Sequence, residues 1–275
     1  MTPAQPITII KTSTSFWQLN LSEIWQFREL FQTLVWRDIK VKYKQTIIGI
    51  IWAIVQPFTQ MVVFSFFFGK LANMPSDNVP YPLFSFSGLI LWTMFTSSLS
   101  NSSNSMLNSS HLISKVYFPR LIVPIASTLI TYIDYLIAWI VIWCIFIVYQ
   151  FIPPWTIIIS PLLAIGPLML ANGLGFFLSA INVQFRDVRY VLPFFLQLLI
   201  FVSPVIYPAS VAGQFQWIVA LNPMTGYLEL HRSLILGHQS ITFFPVIYSL
   251  TTTLMIFFLG VTYFNRQQSK FSDII

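Results

Sequence analysis

The side chains that could carry out chemistry are few and scattered along this sequence. Among 275 residues there are 8 acidic residues, 3 histidines and 1 cysteine. The three histidines, His111, His231 and His238, are far from one another or singly placed, and no group of His, Cys, Asp and Glu has the spacing of metal ligands. Neither a G-x-x-x-x-G-K-S/T phosphate-binding loop nor a G-x-S-x-G nucleophile turn is present. The sequence therefore predicts a chain that is not an enzyme and that binds no cofactor, metal or ATP by itself.

Asp134 is the titratable residue whose position most strongly indicates a role. It lies within an apolar run that extends from residue 121 to 149. If that run spans a membrane, its carboxylate should face a bundle interior or a water-filled cavity, and it is a functional candidate by default. The alternative is a protonated carboxyl that hydrogen-bonds to a neighbouring helix, for example to Asn172 or Gln197. A proton-coupled carrier would be expected to contain more such groups.

The elements that position Asp134 must lie in lipid, because this composition cannot cover a water-facing surface. Apolar residues make up 56% of the chain and charged residues only 8%, and the mean hydropathy is +0.75. A soluble domain carries about 25% charged residues. The net charge of +6 does not indicate nucleic-acid binding, because the basic residues fall in short segments rather than on one patch. The predicted class is an all-α integral membrane protein.

Six apolar runs are long enough to cross a bilayer, whose apolar core is about 30 Å thick and takes about 20 helical residues. The predicted spans are 47–68, 82–106, 121–149, 155–181, 190–207 and 241–264. Twelve of the 14 lysines and arginines lie before the first span, after the sixth, or in the connectors that follow the second and fourth spans. Lys70 and Arg232 lie on the other side. Because positive residues accumulate in the cytoplasm, both termini are predicted to be cytoplasmic.

The segment 1–46 is predicted to be an N-terminal cytoplasmic arm, followed by a transmembrane domain over 47–275. From residue 22 to 44 apolar side chains recur at helical spacing, which indicates an amphipathic helix that lies in the membrane interface. Its apolar positions are Ile24, Phe27, Phe31, Leu34 and Val35. An ordinary membrane-anchoring flank is the alternative.

The connector at about 109–120 is too apolar for a simple turn. It contains Leu112, Ile113, Val116, Tyr117 and Phe118, although it is too short to span a membrane. A connector that only turns is normally rich in glycine, proline or aspartate. We expect a short helix here that is buried against a partner or, alternatively, against the bundle itself.

The region 208–237, on the side opposite to the basic connectors, stays apolar but is too short for two spans. Prolines, Gly213 and the pair Asn222-Pro223 interrupt it. This pattern predicts a re-entrant pair of short helices, about 211–221 and 225–236, that lines a pathway or gate, because irregular backbone at membrane depth must be covered by protein or face water. An external loop is the alternative. The gate candidates are Pro204, Tyr207, Trp217, Asn222, Pro223, Glu229 and Arg232.

An ordered set of segments resembles the transmembrane subunit of ABC-2-type exporters of bacterial surface polysaccharides, which are the O-antigen, capsule and teichoic-acid permeases. The similar segments are LVWRDIKVKYK (34–44) followed by Gly49, Trp52 and Pro57, then KVYFPR (115–120), NVQFRDV (182–188), SPVIY (203–207) and NPM (222–224). Each segment alone is a weak match. The set is specific because its members occur in order over most of the chain.

The resemblance implies an assembly and a cargo. It implies a homodimer that binds two copies of a separate ATP-binding subunit, in which ATP and Mg²⁺ would lie, and an external gate formed by the re-entrant pair. The cargo would be a polysaccharide on a polyprenyl diphosphate lipid, moved across the bacterial cytoplasmic (inner) membrane. The connector would be the coupling helix that contacts the ATPase, through Ser110, His111, Leu112, Ile113, Lys115, Val116, Tyr117, Phe118 and Arg120. A lipid diphosphate would be attracted by Arg37, Lys40, Lys42 and Lys44.

Two other functions remain open at this point. An ABC-2 permease for a lipid or a drug would need the same coupling elements, and only the order of the similar segments favours a polysaccharide. A membrane-embedded glycosyl- or acyltransferase would require a cluster of His, Asp or Glu at one membrane face, which the sequence lacks.

Overall fold

The computed structural model describes residues 21–44, 49–113, 115–237 and 243–274. Every secondary-structure element in these ranges is helical, which confirms the predicted all-α class. In chain order the elements are α1 (Leu21–Gln26), α2 (Arg28–Ile39) with the π-helical segment Lys40–Lys44, α3 (Gly49–Phe64) with the π-helical turns Ser65–Leu71, α4 (Tyr81–Asn108), α5 (Ser110–Ile113), α6 (Ile122–Val148), the 3₁₀ turns Trp155–Ile159, α7 (Ser160–Leu163), α8 (Ile165–Gln184), α9 (Val188–Val202), the 3₁₀ turns Ala209–Phe215, α10 (Gln216–Ala220), α11 (Pro223–Leu236) and α12 (Phe243–Ile274).

Five stretches of helix are long and apolar enough to cross a membrane. They are Ile50–Leu71, Tyr81–Asn108, Ile122–Val148, Trp155–Gln184 and Phe243–Gln268. They correspond to five of the six predicted spans, although residues 47–48 and 241–242 of those spans lie outside the described residues. The chain is a multi-pass membrane protein.

The predicted span 190–207 corresponds to α9, a shorter apolar helix of 15 residues. At 1.5 Å per residue it is about 22 Å long, which is less than the apolar thickness of a bilayer. The helix ends early because Pro204 disfavours helical backbone at Ser203, which is extended with φ −88° and ψ 143°. The residues that follow turn back toward α4 instead of continuing outward.

The helix α4 lies at the centre of the bundle and packs against both α6 and α8, while α8 also packs against α12. Close approach of these helices depends on small side chains, which is the usual way that helices associate in lipid. A Cβ atom added to Gly260 in α12 would lie 2.1 Å from the carbonyl oxygen of Gly173 in α8. One added to Gly175 would lie 2.2 Å from Oγ of Ser102 in α4. Larger residues at these crossings would force the helices apart.

The two ends of the bundle are covered by different segments of the chain. At one, here called the basic end, the arm formed by α1, α2 and Lys40–Lys44 packs beside α6. The apolar residues that the sequence placed on one face of the arm are turned toward the bundle, with Leu34 buried and its neighbours partly buried. The predicted amphipathic helix is thus two helices and a π-helical segment. The division at residue 46 stays a prediction, because residues 1–20 and 45–48 lie outside the described part.

The connector at the basic end contains less helix than predicted. Instead of a helix over 109–120, the structure has α5, which covers four residues, Ser110–Ile113. Residue 114 lies outside the described part, and 115–120 form turns and irregular backbone. Pro119 restricts the backbone of Phe118 only, so it does not account for the end of α5 at Ile113.

At the opposite end, residues 209–236 form three short helical elements, the turns Ala209–Phe215, α10 and α11. The predicted helix at about 225–236 corresponds to α11, whereas the one predicted at about 211–221 is divided into the 3₁₀ turns and α10. Gly213 interrupts the first element with a positive φ of 51°, a conformation that glycine adopts readily. Asn222 caps α11, since its side-chain oxygen accepts a hydrogen bond from the Met224 amide at 2.9 Å.

Candidate functional site

Asp134 lies near the middle of α6 and is bound by two side chains of the arm. Its Oδ2 forms an ion pair with Nζ of Lys42, and its Oδ1 accepts a hydrogen bond of 2.6 Å from the Tyr43 hydroxyl. The predicted alternative partner Asn172 instead donates to Oγ1 of Thr128 at 3.1 Å. Gln197 is exposed on α9. Asp134 therefore contacts neither Asn172 nor Gln197, and the sequence analysis did not predict its ion pair with Lys42.

The contact with Lys42 explains how a carboxylate is accommodated within an apolar helix. A charge that leaves water loses several kcal/mol of hydration, and it is tolerated when a partner charge and hydrogen bonds replace the water. Burial, together with the hydrogen bond and charge of Asp134, raises the pKa of Tyr43, so its phenol stays protonated and donates. Lys42 is thus ion-paired with the bundle, and its predicted contact with a lipid diphosphate stays a prediction.

Two cavities flank this ion pair. The larger, of about 230 Å³, lies toward the basic end between α2, α4 and α6. The smaller, of about 60 Å³, lies between α3, α4 and α6. Lys42 lines both of them. The larger cavity is polar on one side, where its lining includes Arg37, Asp38, Asn101, Ser105, Asn108, Ser109 and Ser127. It has room for several water molecules or for a small polar group.

The other basic residues of the arm remain at its surface. Arg37 forms an ion pair with Asp38 at 2.9 Å and lines the larger cavity. The ammonium of Lys40 lies 5.8 Å from the ring centre of Trp36, and Lys44 is exposed. The four predicted diphosphate-binding residues therefore do not converge on one point, and only three of them face outward.

The connector residues divide into a buried and an exposed group. Ile113 and Phe118 are 7% and 4% exposed and belong to an apolar cluster that also contains Leu34 and Phe271. Val116 and Tyr117 are 51% and 62% exposed. The connector therefore docks on the bundle through one group and presents the other outward, and its burial against a partner stays a prediction. Of the remaining predicted contact residues, His111 and Lys115 are exposed, whereas Ser110, Leu112 and Arg120 are partly buried.

At the opposite end, Arg232 is buried and does not line an open gate. Its guanidinium donates to the carbonyl oxygens of Pro204 and Val205, at 2.7 and 2.5 Å. It also lies 3.8 Å from the ring centre of Phe84 in α4. The Tyr81 hydroxyl donates to the Ile206 carbonyl at 2.8 Å. These contacts fix the turn at 203–207 to α4. The two hydrogen bonds from Arg232 are charge-assisted, and such bonds are stronger than hydrogen bonds between neutral groups.

The other predicted gate residues lie near this anchor or outside it. Trp217 is exposed on α10, whereas Pro204 is buried. Asn222 donates from Nδ2 to Oγ of Ser203 at 2.7 Å, and Pro223 begins α11. The Tyr207 hydroxyl donates to the Phe201 carbonyl at 3.0 Å. Glu229 is partly buried on α11.

Sequence analysis missed the contact between Tyr135 and His231. The Tyr135 hydroxyl lies 2.8 Å from Nε2 of His231, and both side chains are buried. The same hydroxyl lies within 3.3 Å of the Ser160 carbonyl. The sequence offered one indication, since His231 has the spacing of the buried face of α11, four residues after Tyr227 and four before Ile235.

The described residues contain no group of three or more His, Cys, Asp or Glu side chains placed to hold a metal ion. What the geometry provides is a set of buried polar contacts within an apolar bundle, two cavities beside Lys42, and exposed apolar residues on the connector. A comparison with protein families gives a match to the ABC-2 type transporter model over residues 29–236. The chain belongs to the ABC-2 type transporter family. This membership confirms the resemblance that the sequence segments indicated and the prediction of a transport subunit rather than an enzyme.

Curated relatives of this ABC-2 transporter chain match it nearly from end to end. The O-antigen export system permease protein RfbA of Klebsiella pneumoniae is 26% identical over 253 residues, which cover 90% of this chain and 95% of the relative. The protein of the same name from Myxococcus xanthus is 24% identical and covers 92% of this chain and 98% of itself. The polysialic acid transport protein KpsM of Escherichia coli is 23% identical, with 86% and 93% covered.

Proposed function

We propose that this chain is the membrane subunit of an ATP-driven exporter that moves a polysaccharide, linked to a polyprenyl diphosphate lipid, across the bacterial cytoplasmic membrane. The observation that carries the proposal is the near end-to-end match to relatives named for O-antigen export and polysialic acid transport. The matches cover 86 to 92% of the chain, so the likeness extends over most of the bundle.

The basic end faces the cytoplasm in this proposal, and both termini lie there. The support is the distribution of lysine and arginine, of which 12 of 14 lie at that end, because positively charged connectors are retained in the cytoplasm. The elements of 209–236 then lie at the outer face, where they form the external gate.

The ATP-binding partner contacts the basic end through the exposed part of the connector. Val116 and Tyr117 form an apolar pair on a segment that faces water, and such a pair is stabilised by burial in a partner. ATP and Mg²⁺ bind in that partner, since this chain contains no phosphate-binding loop. Two copies of the partner are expected to serve two copies of this chain.

The second copy of this chain packs against the exposed faces of α3 and α9. Both helices carry an exposed glutamine, Gln56 on α3, which also lines the smaller cavity, and Gln197 on α9. A primary amide facing lipid would lose its hydrogen bonds, whereas one facing another subunit or a water-filled path keeps them. These residues therefore favour a homodimer whose subunits meet along α3 and α9, with the path for the cargo between them.

The cargo's diphosphate approaches from the cytoplasmic side, near the arm. Arg37, Lys40 and Lys44 supply outward-facing positive charge there, and the larger cavity beside Arg37 offers amide and hydroxyl groups. Lys42 contributes less of this outward charge, because its ammonium is ion-paired with Asp134. The expected ligand at this site is a phosphate-bearing head group rather than the sugar chain itself.

The test is a charge placed on the exposed connector. The chain is co-expressed with the ATP-binding subunit of its exporter, and Val116→Asp is compared with Ile152→Asp, which introduces the same charge at an exposed position at the opposite end. Val116→Asp should reduce co-purification of the ATPase at least about tenfold, which corresponds to 1.4 kcal/mol. The control should retain the partner. Equal binding by both variants contradicts the assigned contact, and a chain that never binds an ATPase contradicts the proposed function.

A further inference from the structure

Two successive residues of α6 are bound to segments that come from opposite ends of the molecule. Asp134 is bound by Lys42 and Tyr43 of the arm, and Tyr135 is hydrogen-bonded to His231 of α11. We infer that Asp134 and Tyr135 are positioning residues that link the cytoplasmic arm to the outer gate, so that a displacement of the arm changes the position of α11. The inference rests on the proposed function, because the ATPase supplies the displacement.

The first link connects the connector to the arm. Phe118 and Ile113 are buried in the apolar cluster that contains Leu34 of the arm. Close-packed side chains transmit displacement because there is little empty volume between them to absorb it. A force applied at the exposed Val116 and Tyr117 is therefore passed to α2 through the adjoining Phe118.

The second link connects the arm to α6. Lys42 lies in the π-helical segment that follows α2, and its ion pair with Asp134 joins residues 92 positions apart in the chain. Such a pair resists separation, because a carboxylate left alone within an apolar helix would be uncompensated. The cavities on either side of Lys42, about 230 and 60 Å³, give the pair room to move as a unit.

The third link connects α6 to the outer gate. His231 is fully buried and precedes Arg232, whose guanidinium holds the carbonyl groups of Pro204 and Val205. A shift of Tyr135 therefore acts on the helix that fixes the 203–207 turn. The neighbouring α10 has Trp217, Ile218 and Leu221 exposed, and Gly213 before it has no atom within 4 Å of its added Cβ position. The outer gate thus has a fixed part, α11, and a part with space around it, 209–220.

The experiment measures whether ATP at one end alters access at the other. The complex with its ATPase subunit is placed in lipid nanodiscs, with Cys144→Ser to remove the native thiol and Trp217→Cys as the reporter on α10. Labelling by a membrane-impermeant maleimide is timed with and without ATP, Mg²⁺ and vanadate. Without further substitutions, the nucleotide should change the labelling rate on the order of tenfold, within the usual range of coupling between sites.

The variants remove one link at a time. Asp134→Asn and Tyr135→Phe keep side-chain shape and should reduce the nucleotide effect to less than about twofold, while ATPase binding is retained. Tyr132→Phe is the matched control, because its hydroxyl donates to the Pro161 carbonyl, outside the proposed link. Lys42→Gln combined with Asp134→Asn should have no larger effect than either alone, as expected for two residues that act as one unit.

The outcomes separate this inference from the proposed function. If the ATPase is bound but the reporter shows no nucleotide effect, or if Asp134→Asn and Tyr135→Phe keep the full effect, the link is refuted and the exporter assignment stands. If no ATPase is bound before any link is altered, the proposed function itself fails. Loss of the effect in Tyr132→Phe to the same extent would also refute a specific role for Tyr135.

Discussion

The helices α3 and α4 are neighbours in sequence and in space, but they differ in how far other helices cover them. In the most apolar stretch of 18 residues, 78% of the residues are buried in α4, against 11% in the membrane helix that contains α3. The buried helix is nevertheless the less apolar of the two, with a mean hydropathy of 1.3 against 1.7. In a membrane protein, therefore, a higher mean hydropathy does not mean that a helix is more deeply buried among other helices.

The difference follows from what lipid can solvate. An apolar side chain is as well accommodated by lipid tails as by protein, whereas a hydroxyl or an amide needs a hydrogen-bond partner. The second half of α4 is rich in serine and asparagine, and its polar groups meet those of other helices. Ser98 is bonded to Thr131 of α6, and the Ser103 carbonyl accepts from Asn182 of α8 at 3.0 Å. Polar residues thus identify the centre of this bundle.

The largest expected effect comes from enlarging a small residue of α4. Ser102 is fully buried against Gly175, so Ser102→Leu should overpack the α4–α8 contact and destabilise the protein by about 3 kcal/mol. Thr59→Leu, at an exposed position of α3, should change stability by less than about 0.5 kcal/mol. Unfolding of both variants is followed in the same detergent micelles. Equal losses of stability in the two variants would show that other helices cover α3 and α4 to the same extent.

An intermediate effect is expected for the anchor between α11 and α4. Arg232→Met keeps much of the side chain's length but removes the charged donors to the Pro204 and Val205 carbonyls, which should cost about 2 kcal/mol. Arg186→Met, at an exposed position of the basic end, is the matched control and should be close to neutral. Thermal unfolding of both variants is measured, and an unaltered midpoint for Arg232→Met would show that the turn at 203–207 is held by other contacts.

The smallest effect is expected for a substitution on the exposed helix α3. Gln56→Leu should leave unfolding unaltered and lower the dimer's association constant about threefold, the size of an average interhelical hydrogen bond in a membrane. Dimer formation is measured by single-molecule photobleaching in nanodiscs. Ile140→Leu, at an exposed position of α6, provides the baseline. If the dimer tightened in Gln56→Leu, the amide would face lipid and the proposed interface would be wrong.

Much of the fold could be predicted because hydropathy and helix-breaking residues can be read from short stretches of sequence. Five spans followed from apolar runs, and the short helices of 209–236 followed from Gly213 and Asn222-Pro223. One boundary that failed was also local in origin, since Pro204 ends α9 early by constraining Ser203. The early end of α5 at Ile113 has no such local cause, because Pro119 constrains only Phe118.

The site could be predicted only in part, because its contacts join distant residues. Asp134 was identified as a functional candidate from its apolar surroundings, but its partner Lys42 is 92 residues away. Lys42 was one of several similar basic residues, and nothing in the sequence distinguished it from Lys40 or Lys44. The contact between Tyr135 and His231 spans 96 residues, and neither residue type indicates by itself that it will be buried.

The limited length of α9 has a consequence for the surrounding lipid. Its 15 residues present an apolar wall of about 22 Å, several ångströms less than the hydrocarbon thickness that other spans of this chain match. Lipids adapt to such a mismatch by local thinning of the bilayer. Where lipid meets α9 at the edge of the proposed dimer interface, the bilayer is therefore expected to be thinner than beside the longer helices.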